Sequence, residues 1–328
     1  MSTLPTSPNQ SPSDQSSPGH LPNQKPLRKA RSAFRDDVLS GKHILITGAG
    51  TGLGKEIARA YVAHGARVHI CGRRQSVLEA SAIELAAAAA HGGSIRTHIC
   101  DIRDADAVEA MVEAAWADAP LTGLINNAAA NFISPSIDIS PRGFAAVRST
   151  VMDGALFSTL ACGRRWIEQD LPGSVVSMLV TWVWTGSPYV LPSAMAKTAV
   201  HAMTQSLAVE WGRHGIRVNA VAPGPFPTES AWEKLAPIPK ANVGAASADE
   251  VPMGRFGEIS ELTQLMLFLQ ADGCEYLTGQ TIGIDGGHHL AAPSTFAALG
   301  KMTREDWAQA KAIVRAKAEE EKKLRTPR

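Results

Sequence analysis

The strongest constraint on the fold is the regular alternation of short apolar runs with helical patterns between residues 41 and 290. Seven apolar runs are typical of strands, at residues 43–47, 67–71, 94–100, 121–126, 174–180, 216–221 and 280–285. Helical patterns separate them, running through Ala63 and over residues 76–90, 105–116, 142–169, 192–214 and 260–270. Strands that alternate with helices at this spacing are joined by right-handed crossovers and form a parallel sheet covered on both faces. The sequence therefore predicts an α/β fold, a doubly wound parallel sheet of the Rossmann type in one domain.

A segment rich in Pro and Ser precedes that domain. Its first 26 residues hold 6 Pro and 6 Ser and no aromatic residue, so it cannot bury enough apolar area to offset its ordering entropy. We therefore expect residues 1–38 to form a disordered tail, and it lacks the apolar stretch of a signal peptide. The basic run Arg28, Lys29, Arg31 and Arg35 is typical of a solvated linker, and a mitochondrial transit peptide is the less favoured alternative.

A C-terminal extension, residues 291–328, follows the predicted domain, with a helix expected at about 303–322. Thr303 is a candidate N-cap, and acidic residues occupy the first turn. Trp307, Ala310 and Val314 fall on one helical face. We expect that face to pack on the domain or on a neighbouring subunit.

Composition limits the classes of partner. The chain has 32 basic and 31 acidic side chains and a net charge of +1, which gives no support for nucleic acid or an anionic membrane as the main partner. No apolar run has the length of a membrane span. The cysteines form no close pair, so we expect buried free thiols and a reducing, cytoplasmic compartment. The four cysteines are Cys71, Cys100, Cys162 and Cys274.

A glycine-rich turn between the first strand and the first helix is the first candidate site. Residues 47–54 read Thr-Gly-Ala-Gly-Thr-Gly-Leu-Gly. Glycines at 48, 52 and 54 allow a tight turn and the close approach of a pyrophosphate, and the helix N-terminus supplies free N–H groups. The alternative is that the glycines only permit a close crossing of strand and helix.

Charged residues follow the second and third strands. Arg73 and Arg74 stand where a carboxylate would bind the ribose diol of NAD, so they favour the 2′-phosphate of NADP. Asp101 ends the third strand and is placed to accept a hydrogen bond from the adenine amino group. The alternatives are a solvated arginine pair and, for Asp101, an N-cap of the next helix.

Four motifs in this order and spacing resemble the short-chain dehydrogenase/reductase superfamily. They are Thr47-Gly48 with Gly52-Leu53-Gly54, Asn126-Asn127-Ala128-Ala129, Pro223-Gly224 with Thr228, and Asp285-Gly286-Gly287. The resemblance covers residues 41–290. It implies a nicotinamide cofactor and a homodimer or homotetramer in which the two long helices pair across a twofold axis.

A narrower resemblance is to the 2,4-dienoyl-CoA reductase branch, of the mitochondrial and bacterial type. It is carried by residues 126–135, by Ser140-Pro141, by residues 192–197 and 223–226, and by the C-terminal Thr303-Arg-Glu-Asp-Trp307. This resemblance implies NADP binding at Gly48, Thr51, Gly52, Leu53, Gly54, Arg73, Arg74, Asp101, Asn127, Lys197, Pro223, Gly224, Pro225, Phe226 and Thr228. It implies an acyl-CoA path along Arg103, Asn131, Phe132, Ser140, Trp182 and Lys234. It further implies that Asn131 holds the thioester carbonyl and that Ser193 and Lys197 complete the catalytic site.

The residue four positions before Lys197 decides which chemistry is expected. Most superfamily members have Tyr there as a proton donor, but here the position is Ser193, whose hydroxyl is too weak an acid. A conjugated acyl thioester suits such a site better, because hydride adds to the far end of the conjugated system and charge collects on the thioester oxygen. Asn131 is a candidate donor to that oxygen. The alternative for Ser193 and Lys197 is an ordinary pair on a helix surface.

Two departures from the branch concern the same site. Trp182 stands where the branch has a tyrosine, and an indole N–H donates but transfers no proton. Asp153 stands where the superfamily usually has Asn. Tyr189 is near in sequence, and Trp182 and Trp184 are alternatively the lining of an acyl tunnel. The favoured function is NADPH-dependent reduction of a 2,4-dienoyl-CoA. The alternatives are a short-chain oxidoreductase with another electrophile and a non-catalytic NADP-binding protein.

Overall fold

The computed structural model describes residues 32–227, 248–291, 296, 299 and 302–323. The strands are β1 (His43–Thr47), β2 (Arg67–Gly72), β3 (Ser94–Ile99), β4 (Gly123–Asn126), β5 (Gly173–Met178), β6 (Ile216–Pro223) and β7 (Thr281–Ile284). They form one sheet in the order β3-β2-β1-β4-β5-β6-β7, and every neighbouring pair is parallel. The prediction of a doubly wound parallel sheet is confirmed. The order reverses between β1 and β4, and a fold of this type binds its ligand at that crevice, beyond the carboxyl ends of the strands.

Helices cover both faces of the sheet. They are α1 (Gly52–Ala63), α2 (Gln75–Ala87), α3 (Ala105–Trp116), α4 (Pro141–Arg148), α5 (Gly154–Glu168), α6 (Trp182–Thr185), α7 (Leu191–Trp211), α8 (Ile259–Gln270), α9 (His288–Ala291) and α10 (Arg304–Lys323). One buried apolar cluster joins β1 and β2 to α1 and α8, and a second joins the sheet to α3 and α5. Every residue of β1 and of β5 is buried, because the helices leave neither face of these strands exposed.

The predicted long helix over residues 142–169 is confirmed in its extent, since residues 141–168 are helical throughout, but one turn within it is not α-helical. The chain forms α4, then a π-helical turn at Ser149–Asp153, then α5. Ser149 and Thr150 donate side-chain hydrogen bonds to the Ala146 carbonyl, at 3.3 and 3.0 Å, and such bonds compete with the regular backbone pattern. Turns of this kind are frequent at functional sites.

The cysteines agree with the sequence prediction. All four are free and buried, and none forms a disulfide. Burial raises the pKa of the Cys71 and Cys162 thiols to about 12 and that of Cys100 to about 11. They are therefore inert thiols in the apolar interior and not nucleophiles.

The C-terminal helix α10 begins after a reciprocal cap. Thr303 accepts from the Asp306 backbone N–H at 3.2 Å, and its own N–H donates to the Asp306 carboxylate at 2.8 Å. Ala310 is buried and Trp307 packs in an apolar cluster of the domain. Val314 is 45% exposed, so the predicted apolar face does not extend that far along the helix.

Residues 1–31, with most of the predicted tail, lie outside the described residues. Among the helices that the structure does describe, none combines the length and apolar character needed to cross a bilayer.

Candidate active site

The glycine-rich turn lies at the crevice between β1 and β4. Gly48 and Gly52 have φ of +67° and +60°, a region that side chains disfavour. A Cβ on Gly54 would lie 2.3 Å from the Asn127 Nδ2 atom. Asn127 in turn donates from Nδ2 to the carbonyls of Thr47 and Gly48, at 3.0 and 3.1 Å. The turn therefore packs directly on the chain after β4.

The N-terminus of α1 opens at the same place. Thr51 is the N-cap, but its side chain makes no capping hydrogen bond. The first turn carries no acidic residue, and Leu53 packs partly buried against the core. The backbone N–H groups of the first turn and their partial positive charge suit an anionic group.

The two predicted 2′-phosphate ligands lie at the end of β2. Arg73 is exposed just beyond Gly72, and Arg74 is the N-cap of α2. Gly72 pairs with Ile99 in the next strand, which brings Arg73 near Asp101. The charge of Arg73 contributes to lowering the pKa of the Asp101 carboxyl.

Asp101 is held by an arginine of its own loop. Arg103 Nε lies 2.8 Å from Asp101 Oδ1, and its Nη2 lies 2.5 Å from Oδ2. Burial raises the pKa of Asp101, but the hydrogen bonds to Arg103 outweigh it, so the pKa lies below its usual range. The N-cap alternative for Asp101 is wrong, because Asp104 caps α3 by accepting from the N–H groups of Asp106 and Ala107.

Ser193 and Lys197 share the buried face of α7. They are 4% and 6% exposed, so the alternative of a helix-surface pair is wrong. Lys197 Nζ donates a hydrogen bond to the Met178 carbonyl at the end of β5. Burial lowers the pKa of Lys197 from its ordinary value of 10.5 to about 8. A buried ammonium group is therefore held at the carboxyl edge of the sheet.

The loop after β4 brings Asn131 towards the start of α7. The backbone N–H of Ser134 donates to the Tyr189 carbonyl at 2.9 Å, two residues before α7 begins. Phe132 packs against a buried apolar cluster that includes Ala196 of α7. The Asn131 Oδ1 atom is buried and has no hydrogen-bond partner among the described residues. One end of the Asn131 amide is thus available to a ligand.

The tryptophan in the tyrosine position lies in an apolar cluster. Trp182 meets Phe296 edge to face, with ring centroids 5.4 Å apart, beside Val190. Tyr189 has a φ of +63° and its ring packs 5.1 Å from that of Trp307 in α10. The C-terminal helix therefore contacts the segment that leads into α7.

Trp184 does not share the surroundings of Trp182. It is 41% exposed and packs 4.8 Å from the ring of His289. Asp153, the second departure from the family pattern, ends the π-helical turn and pairs with Arg148 at 3.3 Å. That pair lies on the segment between α4 and α5.

Pro223 ends β6, and residues 224–226 follow it beside the end of β7, where the Gly224 N–H donates to the Ile284 carbonyl at 2.9 Å. A Cβ on Gly224 would meet the Asp285 Cα atom at 2.7 Å, so the two loops are in close contact. Asp285 accepts from the Gly287 N–H at 2.9 Å and from His289 Nδ1 at 2.6 Å. Sequence reasoning missed this Asp–His pair, although its two members stand four residues apart directly after β7.

Three further predicted ligands are Ser140, Thr228 and Lys234. Ser140 is the N-cap of α4 and accepts from the Gly143 N–H at 3.1 Å, which is a structural role. Thr228 and Lys234 lie outside the described residues.

An open groove of about 600 Å³ lies beside Arg103. Its lining consists of Arg103, Asp104, Ala105, Ser149 and Phe157. None of the three predicted catalytic side chains belongs to this lining. The groove is therefore a surface next to the candidate site and not the reacting centre.

Comparison with known proteins supports one family. The family model described as enoyl-(acyl carrier protein) reductase matches residues 48–289. An uncharacterized oxidoreductase of Caenorhabditis elegans is 38% identical over 291 residues, which are 87% of this chain and 92% of that protein. A Bacillus subtilis protein named "Probable 2,4-dienoyl-CoA reductase" is 38% identical over 251 residues, 76% of this chain and 97% of that protein.

A solved structure supports the same family. The crystal structure of a short chain dehydrogenase from Bacillus anthracis superposes with a TM-score of 0.67 at 38% identity. The match covers 76% of this chain and 96% of the other.

Proposed function

Because the chain belongs to the short-chain dehydrogenase/reductase family of oxidoreductases, we propose that it uses NADPH to reduce a 2,4-dienoyl-CoA. The observation that carries this proposal is the pair of Ser193 and Lys197, buried on one face of α7. Without a tyrosine before the lysine, the site lacks the strong proton donor that a simple ketone needs. A conjugated thioester places its developing charge on an oxygen that neutral N–H groups stabilise.

The residues around the glycine-rich turn fit a dinucleotide. The turn has no room for a Cβ at Gly54, and Thr51 makes no side-chain cap at the start of α1, which leaves the N–H groups of the first turn for a diphosphate. Arg73 and Arg74 are proposed to bind a 2′-phosphate, and Lys197 to hold the nicotinamide ribose. The cofactor supplies the hydride.

The proposed catalytic residues act on the thioester oxygen. Asn131 has one amide atom buried without a partner among the described residues, and amide N and O atoms are interchangeable by rotation. With its N–H directed there, Asn131 donates to the oxygen as negative charge develops. Ser193 extends the hydrogen-bond network, and the ammonium of Lys197 adds positive charge at the carboxyl edge of the sheet. Arg103, beside the open groove, is proposed to line the path of the CoA group.

The test of the reaction is loss of NADPH absorbance when the protein meets a 2,4-dienoyl-CoA. Asn131→Asp keeps the size of the side chain and removes the N–H donor, and Asn131→Ala removes both. Each is expected to lower kcat by about 10²-fold or more while NADPH still binds. If both variants turn over like the wild type, the oxyanion role of Asn131 is wrong.

The choice of cofactor is tested separately. A charge-assisted contact contributes about 1.5–3 kcal/mol, so Arg73 is expected to favour NADPH over NADH by roughly tenfold to a hundredfold in affinity. Arg73→Asp should remove that preference, and dissociation constants for both cofactors measure it. Equal affinities in the wild type would contradict the assignment of the 2′-phosphate site.

The presence of Trp182 favours a second candidate function, in which the same site reduces an electrophile other than a dienoyl-CoA. Its ring packs on Phe296 in the apolar cluster, where the dienoyl-CoA reductase branch has a tyrosine. If the dienoyl-CoA proposal holds, Trp182→Tyr is expected to raise turnover. A loss of turnover instead would indicate that the indole shapes a different substrate. NADPH binding without turnover of any thioester or carbonyl would support a non-catalytic role.

Assembly is proposed on the same family basis. The long helix α7 exposes apolar Met195 and Val209, at 51% and 86%, which is consistent with pairing of long helices across a twofold axis. Light scattering is expected to give a dimer or tetramer. A monomer at micromolar concentration would contradict this proposal.

A further inference from the structure

A second cluster of reactive side chains begins at the amino end of β1, the opposite end of that strand from the glycine-rich turn. His43 is the first residue of β1 and Thr47 the last, so about 13 Å of strand separates His43 from the turn. His69 stands on β2 and His98 on β3. Leu45 pairs with His69 and Cys71 pairs with His98, so the three histidines point to the same face of the sheet.

The three imidazoles form one continuous chain of hydrogen bonds. His43 Nδ1 lies 2.8 Å from the Ala119 carbonyl, which requires a proton on that nitrogen. His43 Nε2 is therefore an acceptor in the neutral ring, and it lies 2.6 Å from His69 Nε2. His69 Nδ1 lies 2.7 Å from His98 Nε2. A single set of tautomers satisfies every contact with all three rings neutral.

A carboxylate in the loop between α3 and β4 lies beside the two Nε2 atoms of His43 and His69. Asp118 Oδ2 lies 3.6 Å from His69 Nε2. Its other oxygen, Oδ1, accepts from Arg96 Nη1 at 2.9 Å, so the two oxygens have separate partners. Two imidazole nitrogens and one carboxylate oxygen thus lie within 4.8 Å of one another.

We propose that His43, His69 and Asp118 form a binding site for a divalent transition-metal ion of the zinc class. Donor atoms on tetrahedral zinc, with bonds of about 2.0 Å, lie about 3.3 Å apart. The Nε2 atoms of His43 and His69 need to separate by less than about 1 Å to reach that spacing. Three protein ligands leave the fourth position to a water molecule.

The surroundings already supply the outer contacts that such ligands need. A metal-bound histidine normally donates its second N–H to a carbonyl or another acceptor, as His43 does to Ala119. When metal replaces the proton on His69 Nε2, a shift of tautomers in His69 and His98 keeps the same number of protons on the rings. His69 then donates from Nδ1 to His98 Nε2, and His98 carries its proton on Nδ1. Arg96 orients the carboxylate of Asp118 in the same way.

Burial and access also suit a structural ion. His43 and His69 are 1% and 2% exposed, whereas the Asp118 side chain is 24% exposed and gives a route from solvent. The ion would join β1 and β2 to the loop after α3. Because His43 starts β1 and Asp118 precedes β4, away from the carboxyl ends of these strands, this ion would stabilise the fold and take no part in hydride transfer.

The test uses the full chain, stripped of metal with a chelator and titrated with Zn²⁺ by calorimetry at pH 7. One ion per chain is expected, and Co²⁺ in its place should give the intense visible bands of a tetrahedral site. Zinc should also raise the thermal midpoint, since a ligand that binds the folded state stabilises it.

Three variants localise the site. Asp118→Asn removes a partly exposed ligand with little risk to folding, and His43→Asn removes a buried one. Each should weaken Zn²⁺ binding by at least about tenfold. His91→Asn, at an exposed histidine in the loop between α2 and β3, is the matched control and should bind like the wild type. Absence of binding in the wild type, an octahedral Co²⁺ spectrum, or unchanged binding in Asp118→Asn would each overturn the proposal.

Discussion

Substituting Lys197 tests the central feature of the candidate site, a buried ammonium group. Burial lowers the pKa of Lys197 from 10.5 to about 8. Between those two pH values the unfolded chain binds more protons than the folded chain. The free energy of unfolding of the wild type should therefore rise with pH in that window, relative to a variant without the amine.

The magnitude follows from the same two pKa values. Below pH 8 both states carry the proton, so the contribution is constant. From pH 7 to pH 9 the wild type should gain about 1.4 kcal/mol relative to Lys197→Met. The hydrogen bond from Nζ to the Met178 carbonyl changes the absolute difference between the two proteins but not the direction of this slope.

The assay is urea unfolding at pH 7 and pH 9, at one protein concentration, for the wild type and two variants. Lys311→Met, at an exposed position on α10, is the matched control and should show no relative change. With m-values of about 3 kcal/mol/M, the midpoint difference should move by roughly 0.5 M. If the difference in unfolding free energy between the wild type and Lys197→Met stays constant or falls from pH 7 to pH 9, the claim that burial lowers the pKa of Lys197 is refuted.

Three other substitutions test the packing around the site. Gly54→Ala forces the new Cβ onto the Asn127 amide and should weaken NADPH binding by at least about tenfold, measured by fluorescence titration. Tyr61→Phe removes a buried hydrogen bond to the Met266 carbonyl, so thermal or urea unfolding should show a loss of about 1–3 kcal/mol. Asp104→Ala removes the side-chain cap of α3 and should cost about 1 kcal/mol in the same assay, and an unchanged midpoint would contradict the capping role.

Local sequence determined the elements and their order. The first strand and the third helix begin and end where the apolar pattern predicts, because each pattern reports which residues must face a core. The parallel sheet follows from the alternation alone, since a strand and its parallel neighbour need a crossover. The extent of the helix over residues 142–169 was predictable, but its π-helical turn was not, because hydropathy does not register side-chain hydrogen bonds to the helix backbone.

The tertiary structure decided the hydrogen-bond partners and the pKa values of the polar residues that the sequence offers as ligands. The sequence predicts Asp101 as an adenine ligand, yet in the fold its carboxylate accepts hydrogen bonds from Arg103. Lys197 carries the same formal charge as an exposed lysine, and only burial against the end of β5 lowers its pKa.

Contacts between segments distant in sequence explain the other features of the sites that the sequence did not predict. The need for glycine at position 54 is set by Asn127, which arrives from the far side of the switch point. The cluster of His43, His69 and Asp118 has no spacing signature, because its members come from two strands and a loop. A sequence specifies such sites only through the fold, since the free energy of a buried charge or a shared ligand depends on neighbours that the chain brings together after its elements have packed.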